Sequence, residues 1–420
     1  MRTAAAGIGR VAGLARAGLL NLVLVNLARL VPRSPRQWLF GHQGGLFAGN
    51  SKYLFLWVAT NRPDLRAVWL ADNDATVRLI TDAGFVAYRR WSLRGVRATV
   101  RSRVLVYCHG LSDVNARLSG GAYLANLWHG VGLKSTMFGD RTGIMSHYKR
   151  RWSNPLGRTL FYAYLKAPDM LATTSDFMQA HFAEQFELPR ERCPQLGYPR
   201  LDTVADGELR RLAIDLDARQ GFRFNPAGRR EAYLYMPTWR DTGRPFLTAA
   251  LPDLDRLNDL LRARDALLYI KLHPWTKESL PAGYSHIASW PDEIETYSYF
   301  DQLTGLITDY SSVLYDYLFS RDGGAILYTF DRASYEAEDH ALLYPFDENV
   351  AGVTVQDFDA LCDVLARGTA LVPCARAAAI REKFWGGSAV PASPAIVSYI
   401  EKAVARRGIR RASGTPAASR

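Results

Sequence analysis

A chain of 420 residues with 48% hydrophobic content is too long for one compact core, so two α/β domains are expected. The 52 lysines and arginines outnumber 41 acids and leave a formal charge of +11, which calls for an acidic partner: nucleic acid, anionic lipid or a phosphorylated substrate. Four scattered cysteines, Cys108, Cys193, Cys362 and Cys374, show no CxxC or His-rich pattern; they argue against a disulfide framework or zinc site and fit a reducing cytoplasm.

From Met1 to Arg36 the chain carries Arg2, Arg10, Arg16, Arg29, Arg33 and Arg36 and no acid. Its apolar run, Gly18 to Val31, is broken by Asn21, Asn26 and Arg29 and is too short and polar for a membrane span. Pro32-Arg33-Ser34-Pro35-Arg36 stands where a signal peptide needs small residues. Residues 1–36 therefore read as a basic amphipathic helix on the inner leaflet, with Leu19, Leu20, Leu22 and Val23 in the interface and arginines on anionic lipid. The expected location is peripheral, on the cytoplasmic face of the cell membrane. Residues 401–420, with Lys402, Arg406, Arg407, Arg410 and Arg411, read as a basic disordered tail.

Residues 37–200 form the expected first lobe. Strands are predicted at Gln37–Gly41, Ala67–Ala71, Phe85–Tyr88 and Val104–Tyr107, with helices between them and Asn50-Ser51-Lys52 capping the first. Such alternation predicts a parallel, doubly wound sheet. Asp72-Asn73-Asp74 looks like a metal-binding DxD, but its place at a strand-to-helix turn favours Asp74 as an N-cap. Asn126 to Lys134 is a strand end followed by a glycine-rich turn that brings one imidazole, His129, and one ammonium, Lys134, to the cleft side of the sheet. A histidine there can take a proton from an attacking hydroxyl, although a lone histidine is more often a structural hydrogen-bonder. The basic and aromatic stretch Ser146–Lys166 suits nucleic acid or a membrane surface; with the N-terminal segment, the membrane is preferred. Ser175 is expected to cap a helix to Phe186, and Arg200 either faces a ligand or pairs with Asp202 at the hinge.

Residues 201–400 form the expected second lobe. Strands ending near Met236, Leu272 and Thr308 deliver Thr238 and Arg240, then His273, then Thr308, Ser311 and Ser312 to one crevice. Cation, imidazole and helix N-terminus together suit a pyrophosphate.

Six stretches, Asn50–Phe55, Asn126–Lys134, Gly197–Asp202, Pro237–Asp241, Lys271–Pro274 and Ile307–Tyr317, resemble in order the CDP-glycerol glycerophosphotransferase family of teichoic-acid primases and polymerases. The resemblance implies two Rossmann-like lobes of GT-B type, an acceptor lobe followed by a CDP-donor lobe. It implies transfer of a polyol phosphate from CDP-glycerol or another CDP-polyol to a hydroxyl of a lipid-linked glycan, with release of CMP. It makes His129 the general base, His273 a phosphate contact, and Thr308, Asp309, Ser311 and Ser312 the pyrophosphate cradle. Thr238, Arg240 and Lys271 join the donor side, and Lys134 and Arg200 the acceptor or phosphate contacts. No cofactor or metal is demanded, since basic groups and a helix end can neutralise a diphosphate. Gly132 and Gly323-Gly324 stand where the family commonly has proline, and Gly386-Gly387 where an Asp-Gly pair is expected, so ribitol remains open beside glycerol. The competing readings are a nucleotide-sugar glycosyltransferase of the same fold and a non-enzymatic basic protein that binds nucleic acid or lipid; the preferred reading involves no nucleic acid.

Overall fold

The computed structural model describes residues 18–132, 138, 153–225, 227–240, 242–274, 276–321, 323–339, 343–368, 375–388 and 390–412. Arg2, Arg10, Arg16, Lys134, Asp241, residues 147–152 and residues 413–420 lie outside them; residues 401–412, expected as the start of a disordered tail, continue a helix instead. Two compact units emerge. The first takes the described residues to His129, those from 138 to Leu209 and those from Gly387 onward; the second takes Arg210–Gly386 with the short stretch after His129. The expected boundary at 200 thus falls at Leu209, and the chain from Gly387 groups with the first unit rather than the second. The reason is local: the Asp202 carboxylate accepts from the backbone N–H groups of Ala392 (2.5 Å) and Ser393 (2.8 Å), fixing the start of the last helix to the first unit.

The first unit opens with helix α1 (18–30) and runs through β1 (Ser34–Phe40), α2 (Gly49–Asn61), β2 (Arg66–Ala71), α3 (Asp74–Asp82), β3 (Ala87–Arg89), α4 (Leu93–Arg101), β4 (Ser102–Tyr107), β5 (Tyr123–Asn126) and β6 (Met170–Leu171), then α5 (Asp176–Phe186). Its six strands are parallel in the order β3-β2-β1-β4-β5-β6. β1 is central, Trp38 aligning with Ala67 on one side and Val104 on the other. Leu39, Val68, Leu70, Leu105 and Leu124 form an apolar layer against the sheet. On the sheet, Trp69 is held by edge contacts from Phe47 (4.8 Å) and Phe55 (5.6 Å), each pair contributing about 1 kcal/mol beyond its buried area. Ser175 caps α5 as expected, accepting from the Met178 N–H. Asn73, not Asp74, caps α3, and Asp74 instead pairs with Arg89 at 3.0 Å.

Helix α1 packs inward through Val25 and Ala28 and through Asn21, whose amide donates to Leu160 O at 2.9 Å. Leu19, Leu20, Leu22, Val23, Leu27 and Leu30 remain exposed. No described helix is long and apolar enough to cross a membrane.

The second unit repeats the plan. β7 (Glu231–Met236), β8 (Ala266–Ile270), β9 (Ile287–Ser289), β10 (Gly305–Thr308), β11 (Ala325–Tyr328) and β12 (Val353–Val355) are all parallel in the order β12-β11-β10-β7-β8-β9. Helices α6 (Leu254–Ala263), α7 (Val313–Ser320), α8 (Phe358–Arg367) and α9 (Ala375–Trp385) belong to it, and α10 (Ala392–Ala412) belongs to the first unit. Leu257, Leu261, Leu361 and Leu365 pack on Leu268, Ile307 and Ile326. In each sheet the first and fourth strands are neighbours, the point at which such folds open a crevice at the strand carboxyl ends.

Candidate active site

At the carboxyl ends of the first sheet three imidazoles meet. His42 follows β1, His109 follows β4 and His129 follows β5. The rings of His109 and His129 stack, 4.3 Å apart and 16° from parallel, and His42 meets His109 edge-on at 4.7 Å. A Cβ on Gly41 would collide with the Asp113 carbonyl oxygen, so glycine is what allows the β1 end to come this close. The buried Asp113 carboxylate accepts from the backbone N–H groups of Cys108 (3.0 Å) and His109 (2.8 Å) and lies 3.5 Å from His109 Nδ1. Burial pushes the Asp113 carboxyl up, but the His109 ring and these N–H groups more than offset it and hold the pKa below the ordinary range.

His129 is presented by a strained turn. Trp128 before it has φ +55°, a left-handed conformation rare for a bulky residue. Its backbone is held on both sides: the N–H donates to Asn126 Oδ1 at 2.8 Å, and the carbonyl accepts from the Asn50 amide at 2.9 Å. The indole is wedged between His129 (4.0 Å) and Phe186 (4.8 Å). Asn50 was expected as a helix cap; it is a fully buried clamp, also accepting from the Arg200 N–H at 3.2 Å. Ala48 occupies the cap position of α2, with no side-chain bond. Arg200, buried, resolves neither of its two expectations as stated: its guanidinium donates to the His129 carbonyl at 2.6 Å, and Asp202 is engaged with α10.

His129 is solvent-reachable, yet the protein packed around it, then His109, Arg200 and His42, hold its pKa well below the usual imidazole value, against a raising contact from the Cys108 carbonyl. His42 is held down to about 4 by burial and by His109. With its pKa held below the usual imidazole value, His129 is neutral at physiological pH. With Nδ1 3.3 Å from the Cys108 carbonyl oxygen, the tautomer protonated at Nδ1 leaves Nε2 as a proton acceptor. His42, His109 and Asp113 stand around His129 and were not singled out from the sequence, and Asn50 was taken only as a helix cap and motif residue. The one available signal was positional: His42 and His109 each follow an apolar strand, as His129 does.

The carboxyl ends of the second sheet are built differently. Asp309, after β10, accepts from Thr238 N (2.8 Å), Thr238 Oγ1 (2.6 Å) and Tyr310 N (2.6 Å). Its other oxygen meets both terminal nitrogens of Arg240 at 3.2 Å. Arg240 in turn forks onto Asp331, after β11, at 2.8 and 3.0 Å, and lies over the rings of Phe246 and Tyr335. The side chains of Arg240 and Asp309 are fully buried. Burial opposes the charge on Arg240, and Asp309 and Asp331 more than restore it. Thr308 also turns inward, donating to Met236 O at 2.7 Å. Lys271 donates to the carbonyls of Pro291, Asp292 and Ile294, and burial lowers its pKa to about 8. Thr238, Arg240, Thr308, Asp309 and Lys271 are thus engaged by protein partners. His273, stacked on Trp239 at 5.8 Å, is exposed, and Ser311 and Ser312 at the start of α7 are half-exposed. Among the described residues no group of acids, histidines and cysteines could hold a metal ion.

Residues 24–400 match the CDP-glycerol:poly(glycerophosphate) glycerophosphotransferase family, and the chain belongs to it. It is 28% identical over 252 residues to the teichoic acid ribitol-phosphate polymerase TarK of Staphylococcus aureus, covering 58% of this chain and 45% of that protein. It is 29% identical over 212 residues to the teichoic acid ribitol-phosphate primase of Bacillus spizizenii, covering 49% of this chain and 50% of that one. The chain therefore spans about half the length of the curated relatives it matches. In fold it is similar to the wall teichoic acid polymerase TagF, with a TM-score of 0.72 at 19% identity over 97% of this chain and 98% of that one.

Proposed function

We propose that the chain transfers a polyol phosphate, glycerol phosphate first, from a CDP-polyol to a hydroxyl of a lipid-linked glycan and releases CMP. Family membership supports the reaction class; the observation that carries the site is a neutral His129 locked by Asn50, Arg200 and a strained Trp128 at the sheet's carboxyl edge. In this reading His129 Nε2 takes the acceptor hydroxyl proton as its oxygen attacks the β-phosphorus. The bond from that phosphorus to the bridging oxygen breaks, and CMP leaves. His273, Ser311, Ser312 and the first N–H groups of α7 meet the donor phosphates in the second unit. Thr308, Asp309, Thr238 and Arg240 act behind them by holding the loop, and Lys271 by holding the loop at Pro291–Ile294. The exposed leucines of α1 support a peripheral seat on the anionic, cytoplasmic face of the membrane.

The test is CMP release from CDP-glycerol and from CDP-ribitol, with a bacterial membrane extract as acceptor source. CMP from one donor, lost in His129→Ala at an unchanged melting temperature, is the expected result and names the polyol. No CMP from either donor, with acceptor shown present, would move the reading to a nucleotide-sugar transferase.

A further inference from the structure

On the opposite, amino-terminal edge of the first sheet lies a second concave surface that the reaction does not use. Five guanidinium groups reach one cleft of about 660 Å³ from three separate elements: Arg36 at the start of β1, Arg66 at the start of β2, and Arg94, Arg97 and Arg101 along α4. All five residues are exposed. The one carboxylate in the lining, Asp64, is already held by Arg62 at 2.6 Å and 2.7 Å. Among the described residues none of the five forms an ion pair; Arg66 makes only a 3.1 Å bond to the Tyr88 hydroxyl. Because the five converge from distant parts of the chain, this is not a solvated charge run along one helix, and their mutual repulsion favours a bound anion.

One further observation identifies that anion as a membrane lipid. Helix α1, with its exposed leucines, ends four residues before the strand that carries Arg36, and it packs on Gly120–Gly121 just before β5, at this same edge of the sheet. Arg33 fastens the connection there by donating to the carbonyl oxygens of Thr99, Ser102 and Leu118.

We infer that the Arg36–Arg66–Arg94–Arg97–Arg101 cleft binds the phosphodiester headgroups of anionic phospholipids beside the exposed leucines of α1. The inference rests on the membrane seat proposed above and adds to it a site distinct from α1. It has a consequence for the substrate. β1 spans 7 residues, or about 23 Å at roughly 3.3 Å per residue, so a membrane on the amino-terminal edge leaves His129 about that far from the lipid surface. The acceptor that reaches His129 then has a glycan or polyol-phosphate spacer between lipid anchor and hydroxyl.

The test is cosedimentation of the full chain with vesicles of phosphatidylcholine alone and of phosphatidylcholine with phosphatidylglycerol. Binding is expected to be at least tenfold stronger to the anionic vesicles and to weaken with salt. The Arg94→Gln/Arg97→Gln/Arg101→Gln variant should lose that preference with an unchanged melting temperature, while keeping the weak binding to neutral vesicles that α1 provides. A Leu19→Gln/Leu22→Gln/Leu30→Gln variant that loses binding to both vesicle types tests α1 separately, so the membrane seat and the cleft can fail independently. The cleft assignment is overturned if the arginine variant retains the anionic preference. It is equally overturned if that variant binds anionic vesicles normally but no longer binds soluble poly(glycerol phosphate), which would make the cleft a channel for the product chain.

Discussion

The two sheets share one strand order, yet their carboxyl edges solve opposite problems. In the proposed reading the first edge carries chemistry in the open: His129 is solvent-reachable, kept neutral by the protein packed around it and then by neighbouring imidazoles, and steered by main-chain bonds from Asn50 and Arg200. The second edge carries charge in the dark: Arg240 forks between Asp309 and Asp331 with no solvent, and ties the ends of β7, β10 and β11 together. A reactive base needs access and a low pKa. A phosphate cradle needs a fixed backbone, and a buried ion pair supplies that even where its net stabilisation is small. The same residue types, a basic group at a strand end, therefore mean different things in the two units.

The sharpest way to break the comparison is to exchange function for stability. His129→Ala should lower CMP release by roughly 10²–10⁴-fold, the range for losing a general base, with little change in melting temperature. Asp309→Asn should do the reverse in order of cause: leaving Arg240 half-paired in a dry site should cost about 3–5 kcal/mol in denaturant unfolding, with activity falling because the fold loosens. If Asp309→Asn proved stable and only inactive, the second edge would hold ligand-binding groups rather than scaffolding. Asn50→Ala sits between the two, since its amide satisfies buried carbonyls and also sets the His129 turn. It should cost about 1–3 kcal/mol and lower kcat more than it raises KM. A variant with wild-type kcat would show that the strained turn needs no clamp.

Much of the scaffold was legible in the residue pattern. Apolar runs ending at turns or polar residues marked β1, β2, β4, β7, β8 and β10, because a doubly wound parallel sheet buries both faces and leaves its polar groups at the strand ends. What the pattern could not carry was partnership at long range. Asn50 and Ser51 look like a helix cap, but Asn50 reaches across to Leu127 and Trp128, and Ser51 to Cys108. Arg240 looks like a cation for a diphosphate until Asp331, 91 residues further on, is seen to occupy it. The return of α10 to the first unit rests on scattered long-range bonds, from Asp202 to its start and from Arg62 and Asp169 to Glu401 and Arg407, and leaves no periodic trace. His42 and His109 became informative only once a parallel sheet placed them beside His129.

The smallest expected effect tests that histidine cluster directly. In the unfolded chain each imidazole titrates near 6.5, whereas His42 in the fold is held to about 4 and His129 also lies well below its usual value. Between those limits the unfolded state binds protons that the folded state does not, so stability must fall as pH drops from about 6.5 toward 4. Replacing His42 with phenylalanine should flatten that decline in thermal melts. Over the same window the base stays unprotonated, so the acid limb of kcat/KM should lie below 6.5. His109→Phe keeps a ring stacked on His129 but removes the neighbouring imidazole, leaving the larger effect of burial in place. It should therefore shift the acid limb of kcat/KM only slightly. Because His109 lowers the His129 pKa, the sign of that shift is fixed: the limb must rise toward 6.5. A limb that falls, or one already at 6.5 in the unaltered chain, would mean that the three imidazoles are packed together without tuning one another.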